Sequence, residues 1–85
     1  MTYRVEVLPA ARKALSRIHP SSRARIEGAI LLLAQDPRPP ASRRLRGRDG
    51  YRVRIGDHRI LYLIRDEVLL VVVVTIGHRR DVYER

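Results

Sequence analysis

The sequence has no cysteine among its 85 residues, and Lys13 is the only lysine among 18 Lys and Arg residues. Without cysteine there is neither a disulfide nor a thiolate metal site, which fits a reducing compartment. No basic and then apolar leader precedes the first strand-like residues, and the longest apolar run, residues 68–76, is far below the roughly 20 residues that cross a bilayer. These absences predict a soluble, cytoplasmic protein with no membrane partner.

Acidic residues are also scarce: nine against 18 basic ones, giving a formal net charge of +9. A balance of this sign favours a polyanionic partner, either nucleic acid, the ribosome or an acidic protein. Arginine suits planar, bidentate recognition of phosphate. Codon usage in a GC-rich genome produces the same preference for arginine, so the charge is the more informative observation.

The middle of the chain contains the clearest pattern. Residues 51–55 read Tyr-Arg-Val-Arg-Ile, which places the apolar side chains on one face of a strand and Arg52 and Arg54 on the other. Gly56-Asp57 is typical of a tight hairpin, and a second strand over residues 58–66 returns Arg59 to their side. Like charges held close together repel, so this arrangement predicts a site for a polyanion.

The other elements follow from helical periodicity, from proline and from unbroken apolar runs. In chain order they are a strand over residues 3–8, helices over 9–19 and 20–35, a loop over 36–50, a strand over 68–77 and a tail over 78–85. The predicted fold is therefore a single α+β domain in the order βααβββ, with a helical hairpin on one face of a four-stranded, mainly antiparallel sheet. The last strand shows no alternation, so either the tail or a partner is expected to cover its second face.

The predicted loop over residues 36–50 is rich in arginine. It has one acidic residue near its end, Asp49, and Leu45 is the predicted anchor into the core. A solvated linker is the simpler interpretation of most of its basic residues. The alternative is a surface that contacts RNA backbone, with four candidate residues in this segment: Arg43, Arg44, Arg46 and Arg48.

Three motifs together resemble the RelE/ParE superfamily of bacterial type II toxins. They are Leu45-Arg46-Gly47, the alternating strand of residues 51–55 followed by Arg59 and Tyr62, and Gly-His-Arg-Arg-Asp-Val-Tyr over residues 77–83. The resemblance extends over essentially the whole chain. It implies the fold given above.

For RelE-type members the resemblance implies a ribosome-dependent endoribonuclease that cuts mRNA in the A site. The implied catalytic residues are Arg52, Arg54, Arg59, Arg79 and Tyr83. Either Arg79 or Arg80 could correspond to the arginine that follows the late glycine in RelE-type members. If Arg79 is that residue, Arg80 is expected to bind RNA. The implied partners are a cognate RelB-like antitoxin, the 70S ribosome with its mRNA, and operator DNA reached only through the antitoxin complex.

Two alternatives to a nuclease remain open. One is a ParE-like toxin that acts on DNA gyrase and cuts no RNA. The other is a non-catalytic homologue that acts with its antitoxin as a corepressor.

The candidate residues suit RNA cleavage without a metal or another cofactor. No spacing of carboxylates, histidines or cysteines predicts a metal site. Attack of a ribose 2′-OH on the adjacent phosphorus needs charge stabilisation, which arginines supply, and proton transfer, which they do not. Tyr83 is the first candidate for the base, although a free tyrosine has a pKa of about 10 and needs nearby cations. His78 is its rival, because a histidine side chain titrates near neutral pH.

Overall fold

Two helices follow the first strand in the computed structural model, which describes residues 2–78. Strand β1 is Arg4–Val7, helix α1 is Pro9–Ser16 and helix α2 is Pro20–Gln35. Proline stands at the start of each helix, where its missing N–H costs nothing. The Nδ1 atom of His19 accepts a 3.2 Å hydrogen bond from the Ser21 N–H and so caps α2. Neither helix is long and apolar enough to span a membrane.

The sheet of the described part of the chain has five strands rather than the predicted four. After α2 come β2 (Arg43–Arg44), β3 (Tyr51–Ile55), β4 (His58–Arg65) and β5 (Leu70–His78), and the spatial order is β1-β5-β4-β3-β2. Strand β1 runs parallel to β5 and the other pairs are antiparallel. The architecture is thus the predicted α+β arrangement of two helices on a mainly antiparallel sheet, with one additional edge strand.

The additional strand β2 lies inside the segment that the sequence predicts as a loop. Leu45 is buried at 7% exposure, and its N–H donates a 3.0 Å hydrogen bond to the Gly50 carbonyl. This closes the six residues between β2 and β3 into a compact turn, so that Arg43 and Arg44 come to lie alongside β3. A strand of two residues is too short to show an alternation of apolar and polar side chains, so the sequence pattern does not predict it.

The core lies between the helices and one face of the sheet. Its buried sheet residues include Val53, Ile60, Tyr62, Val71, Val73 and Ile76, and its buried helix residues are Ala11, Ile26, Ile30 and Leu33. A register shift between Leu61 and Tyr62 marks a bulge in the pairing of β4 with β5. On the other face of the sheet, Leu61 packs against Leu45 while Val72 and Val74 are half-buried. The second face of β5 is thus partly covered within the described residues.

A one-turn 3₁₀ helix, Asp66–Val68, separates β4 from β5, where the sequence predicts two nearly continuous strands. Leu69 adopts a left-handed conformation with φ of 52° directly after it, and β5 begins only at Leu70. Asp66 receives hydrogen bonds from the Tyr3 hydroxyl at 2.6 Å and from the Arg38 guanidinium at 2.8 Å. These bonds hold the turn against the segment that follows α2 and lower the pKa of Asp66, with Arg38 the larger cause.

The same end of the sheet contains a stacked pair of tyrosines. The rings of Tyr51 and Tyr62 are 5.9 Å apart, and the Tyr62 hydroxyl donates a 2.7 Å hydrogen bond to the Pro37 carbonyl. Burial raises the pKa of Tyr62 to about 12. Arg38 donates a hydrogen bond to the Tyr51 hydroxyl, so the proline-rich segment is fixed to β3 and β4.

Candidate nucleic-acid interface

Three predicted site residues lie together on the outer face of the sheet, which is the face away from the helices. Arg54 lies directly opposite Arg59, and Arg52 lies directly opposite Leu61. Residues paired in this way point to the same side of an antiparallel sheet. Because Arg52 and Arg54 are two residues apart in β3, their side chains also share that side. We call these three residues the arginine row.

The edge strand β2 brings a fourth cation to the arginine row. Arg43 pairs with Arg52, and a hollow of about 410 Å³ is lined by Ala41, Arg43, Arg52 and Arg54. One nitrogen of the Arg43 guanidinium donates hydrogen bonds to the carbonyls of Pro40 at 3.1 Å and Ser42 at 2.9 Å. These bonds hold the Arg43 side chain beside the backbone of residues 40–42, and its charge adds to the rim of the hollow.

The other loop arginines are placed differently. Arg44 pairs with Tyr51, so it lies on the helix-facing side of the edge, away from the arginine row. Arg46 and Arg48 are exposed in the turn between β2 and β3. Of the four loop arginines predicted to contact RNA, the structure therefore brings only Arg43 onto the face of the row.

His78 lies on the opposite side of the sheet from the row. It pairs with His58 at the end of β5, and the two rings meet edge to face with centroids 5.9 Å apart. His58 in turn pairs with Ile55, which faces the helices. The structure does not bring His78 together with Arg54 and Arg59, although the sequence lists all three as catalytic candidates. Arg79, Arg80 and Tyr83 lie outside the described residues.

Acidic side chains near the sheet have other partners. Asp66 forms a salt bridge with Arg38 at 2.8 Å, and Asp49 forms one with Arg65 at 3.2 Å. The carboxylates of Asp66 and Asp49 are thus engaged by Arg38 and Arg65.

The chemistry that the row supports is stabilisation of a polyanion. Guanidiniums on adjacent strands offer charge-assisted hydrogen bonds to phosphate oxygens, and a guanidinium does not act as a base. Within residues 2–78, no group of three His, Cys, Asp or Glu residues is arranged to hold a metal ion. A basic groove on the sheet is therefore a candidate surface for the backbone of a nucleic acid.

The sequence matches a protein family over most of its length. Residues 5–83 match the family described as the ParE toxin of type II toxin–antitoxin systems, parDE. Among curated proteins, Toxin RelG from Mycobacterium tuberculosis is 35% identical over 89 residues, and the match covers 100% of both chains. The chain therefore belongs to the RelE/ParE superfamily and is the toxin of a type II toxin–antitoxin system.

Solved structures show the same relationship. The toxin–antitoxin complex RelBE2 from Mycobacterium tuberculosis contains a chain that matches with a TM-score of 0.84 at 28% identity, covering 93% of each chain. The archaeal RelE–RelB complex from Pyrococcus horikoshii matches with a TM-score of 0.83 at 27% identity, covering 93% of this chain and 97% of the other. The predicted superfamily and fold class are thereby confirmed.

Proposed function

We propose that this toxin is a ribosome-dependent endoribonuclease that cleaves mRNA in the A site without a metal ion. The observation that carries the proposal is the placement of Arg54 directly opposite Arg59 on one exposed face, with Arg52 beside them. Two strands of a rigid sheet hold these cations in place before substrate arrives. Preorganised positive charge of this kind stabilises the negative charge that develops during phosphoryl transfer.

The reaction is an in-line attack within the RNA strand. The ribose 2′-oxygen forms a bond to the adjacent phosphorus, the bond from phosphorus to the 5′-oxygen breaks, and the products carry a 2′,3′-cyclic phosphate and a 5′-OH. The arginine row orients the phosphate and neutralises its developing charge. One proton leaves the 2′-OH, and one is delivered to the departing 5′-oxygen.

Proton transfer falls to residues outside the row, because arginine is not a base. We assign the 2′-OH proton to Tyr83 and assistance of the leaving oxygen to Arg79, as the resemblance to RelE-type toxins implies. The pairing of His78 with His58 on the helix-facing side favours Tyr83 over His78 as the base. His78 becomes a positioning residue at the end of β5 in this scheme.

The partner that we propose is an antitoxin of the RelB type. Two matched structures are complexes of a RelE-type toxin with such a partner. Leu31 and Leu32 on α2 are each 69% exposed, a degree that suits coverage by another chain. Operator DNA is then reached through that complex.

Cleavage of ribosome-bound message by the purified toxin tests the proposal. Primer extension is expected to show breaks at A-site codons on programmed ribosomes, and free RNA of the same sequence is expected to stay intact. Uncut message on ribosomes would contradict the proposal. Addition of the purified antitoxin is expected to abolish the breaks.

A ParE-like action on DNA gyrase is the second candidate, and the match of residues 5–83 to the ParE toxin family favours it. This toxin would bind gyrase and cut no RNA. A supercoiling assay with purified gyrase separates the two candidates: inhibition of supercoiling with intact ribosome-bound message supports gyrase, and normal supercoiling with A-site breaks supports the nuclease. Normal supercoiling together with intact ribosome-bound message would leave a corepressor that acts with the antitoxin.

A further inference from the structure

A recess opens at the hairpin end of the sheet, on the side opposite the arginine row. It has a volume of about 160 Å³ and lies between the first turns of α2 and the β3–β4 turn. Its lining residues are Ser22, Arg25, Ile55, Gly56, Asp57 and His58. The polar side chains thus come from two elements that are far apart in sequence.

Arg25 lies against the glycine of the hairpin turn. One nitrogen of its guanidinium is 3.4 Å from the position that a Cβ atom on Gly56 would occupy. Gly56 has φ of 61°, so glycine both permits the turn and leaves room for the guanidinium. Among residues 2–78 no carboxylate forms a salt bridge with Arg25, although Asp57 lines the same recess.

A second hollow of about 290 Å³ adjoins the recess across His58. It is lined by Ala14, Arg17, Ile18, His58, Ile76, Gly77 and His78. The linings of the two cavities contain two arginines, Arg17 and Arg25, and one acidic residue, Asp57. The combined region is therefore positive and also contains the Ser22 hydroxyl, and guanidinium and hydroxyl groups are both donors that can bind phosphate oxygens.

We propose that the recess binds a phosphate of an RNA backbone, with Arg25 and Ser22 as the donors. This rests on the proposed nuclease function and adds a contact for the RNA that flanks the cut. Ile55 follows Arg54 in β3 and His58 precedes Arg59 in β4, so the recess and the row lie on opposite sides of the same hairpin end. An RNA strand that passes over the Gly56-Asp57 turn reaches both the recess and the arginine row.

The neighbourhood of the recess favours RNA over other anionic partners. The recess itself, at about 160 Å³, has room for a single anionic group. The arginine row lies on the other side of the same hairpin end, and its proposed ligand is the same phosphodiester chain. Ser22 also lies in the first turn of α2, where the helix dipole favours negative charge.

The test is binding of a single-stranded 2′-O-methyl RNA, which cannot be cut because its 2′-oxygen is blocked. Fluorescence anisotropy over a series of salt concentrations gives the affinity and its salt slope. Arg25→Gln is expected to weaken binding several-fold at low salt and to reduce the slope by about 0.7, which is one phosphate contact on a single strand. Asp57→Asn, which removes the carboxylate from the recess, is expected to tighten binding.

Arg12→Gln is the matched control, because Arg12 is exposed on α1 and lines neither the recess nor the hollow beside the row. It is expected to leave the salt slope unchanged. An Arg25→Gln slope equal to that of the wild type, or an equal loss in Arg12→Gln, would overturn the proposal. So would absence of binding by the wild-type protein.

Inorganic phosphate distinguishes a backbone contact from a free-anion site. It is expected to compete with the RNA only weakly, because most of the affinity comes from several linked contacts; full displacement at low millimolar concentration would overturn an RNA site. Primer extension on ribosomes decides the nuclease function separately. If Arg25→Gln alone weakens RNA binding but the toxin does not cleave message, the phosphate site is supported and the nuclease function is contradicted. If the toxin cleaves message but Arg25→Gln binds RNA like the wild type, only the phosphate site is contradicted.

Discussion

Arg54 and Arg59 face each other across the β3–β4 hairpin, on the exposed side of the sheet. Like charges directly opposite on neighbouring strands lower the stability of a sheet. The structure thus keeps at its surface an arrangement that is unfavourable for folding alone and favourable for holding a polyanion. This relationship links the stability of the domain to its proposed function.

Replacement of Arg54 by threonine is expected to stabilise the fold. The variant removes one of the two opposed charges and introduces a residue with good strand propensity, so the free energy of unfolding is expected to rise by about 0.5 kcal/mol at low salt. Urea unfolding measures the change. The gain is expected to shrink in 1 M salt, where charges are screened; destabilisation at every salt concentration would argue against repulsion within the row.

Alanine at Gly50 and at Gly28 is expected to change stability in opposite directions. Gly50 has φ of +124°, and a Cβ atom there would lie 3.1 Å from the Tyr62 carbonyl oxygen and from a Leu45 methyl carbon. The cost is expected to be about 1–3 kcal/mol. Gly28 lies within α2 with nothing within 4 Å, so alanine there is expected to stabilise by about 0.5–1 kcal/mol.

Thermal or urea unfolding of the two glycine variants measures both effects. The Gly28 variant serves as the control for the general effect of adding a methyl group. Equal changes at the two positions would show that the turn between β2 and β3 does not depend on glycine at position 50.

The Tyr62 hydroxyl is expected to make stability fall in alkaline solution. Tyr62 is 1% exposed, and its pKa is raised from about 10 to about 12 in the folded protein. A group with a raised folded-state pKa contributes stability that is complete below the unfolded-state pKa and is lost as the pH rises through the folded-state value. The loss is therefore expected between about pH 10 and pH 12.

Tyr62→Phe isolates this contribution. At pH 7 the variant is expected to be less stable by about 1 kcal/mol, because the hydrogen bond to the Pro37 carbonyl is lost. The difference from the wild type is expected to diminish above about pH 10, since phenylalanine does not ionise. A difference that stays constant from pH 7 to pH 11 would contradict the role of Tyr62.

Asp66 is expected to make the stability of the fold decrease in acidic solution. Hydrogen bonds from Arg38, first, and Tyr3 hold the pKa of Asp66 below its ordinary value. Its contribution to stability is therefore present above the unfolded-state pKa and is lost as the pH falls through the lower folded-state value. Wild type and Asp66→Asn are expected to differ most in urea midpoint near neutral pH and to converge as the pH falls below the folded-state pKa of Asp66.

A pH-independent difference between these two proteins would show that Asp66 does not act through its charge. Tyr3→Phe provides a comparison, because it removes one of the two donors and leaves Arg38 in place. Its urea midpoint is expected to lie between those of wild type and Asp66→Asn at pH 7.

The sequence predicted the parts of the fold that depend on strong local patterns. Alternation in residues 51–55 placed Val53 in the core and Arg52 and Arg54 on the outer face, as the structure has them. The proline residues marked the starts of both helices. These features depend on residues that are close together in one element, so they can be recognised in a single sequence.

Contacts between distant segments were not predictable in the same way. Strand β2 forms because Leu45 and Gly50 close a turn, and the link from Tyr3 and Arg38 to Asp66 joins three segments. The side of the sheet on which His78 lies depends on the register of β5 with β4, including its bulge. The sequence analysis proposes His78 as a rival base from its titration range alone, and the face on which it lies in an irregular strand cannot be counted from sequence.

The most direct test of the account is the rate of cleavage of ribosome-bound message by four forms of the toxin: wild type, Arg54→Ala, Arg59→Ala and Arg12→Ala. Loss of a preorganised charge at the reacting phosphate is expected to slow each of the two row variants by about 100-fold or more, while Arg12→Ala cuts at the wild-type rate. Wild-type rates in both row variants, with intact folding, would contradict the claim that Arg54 and Arg59 hold the scissile phosphate.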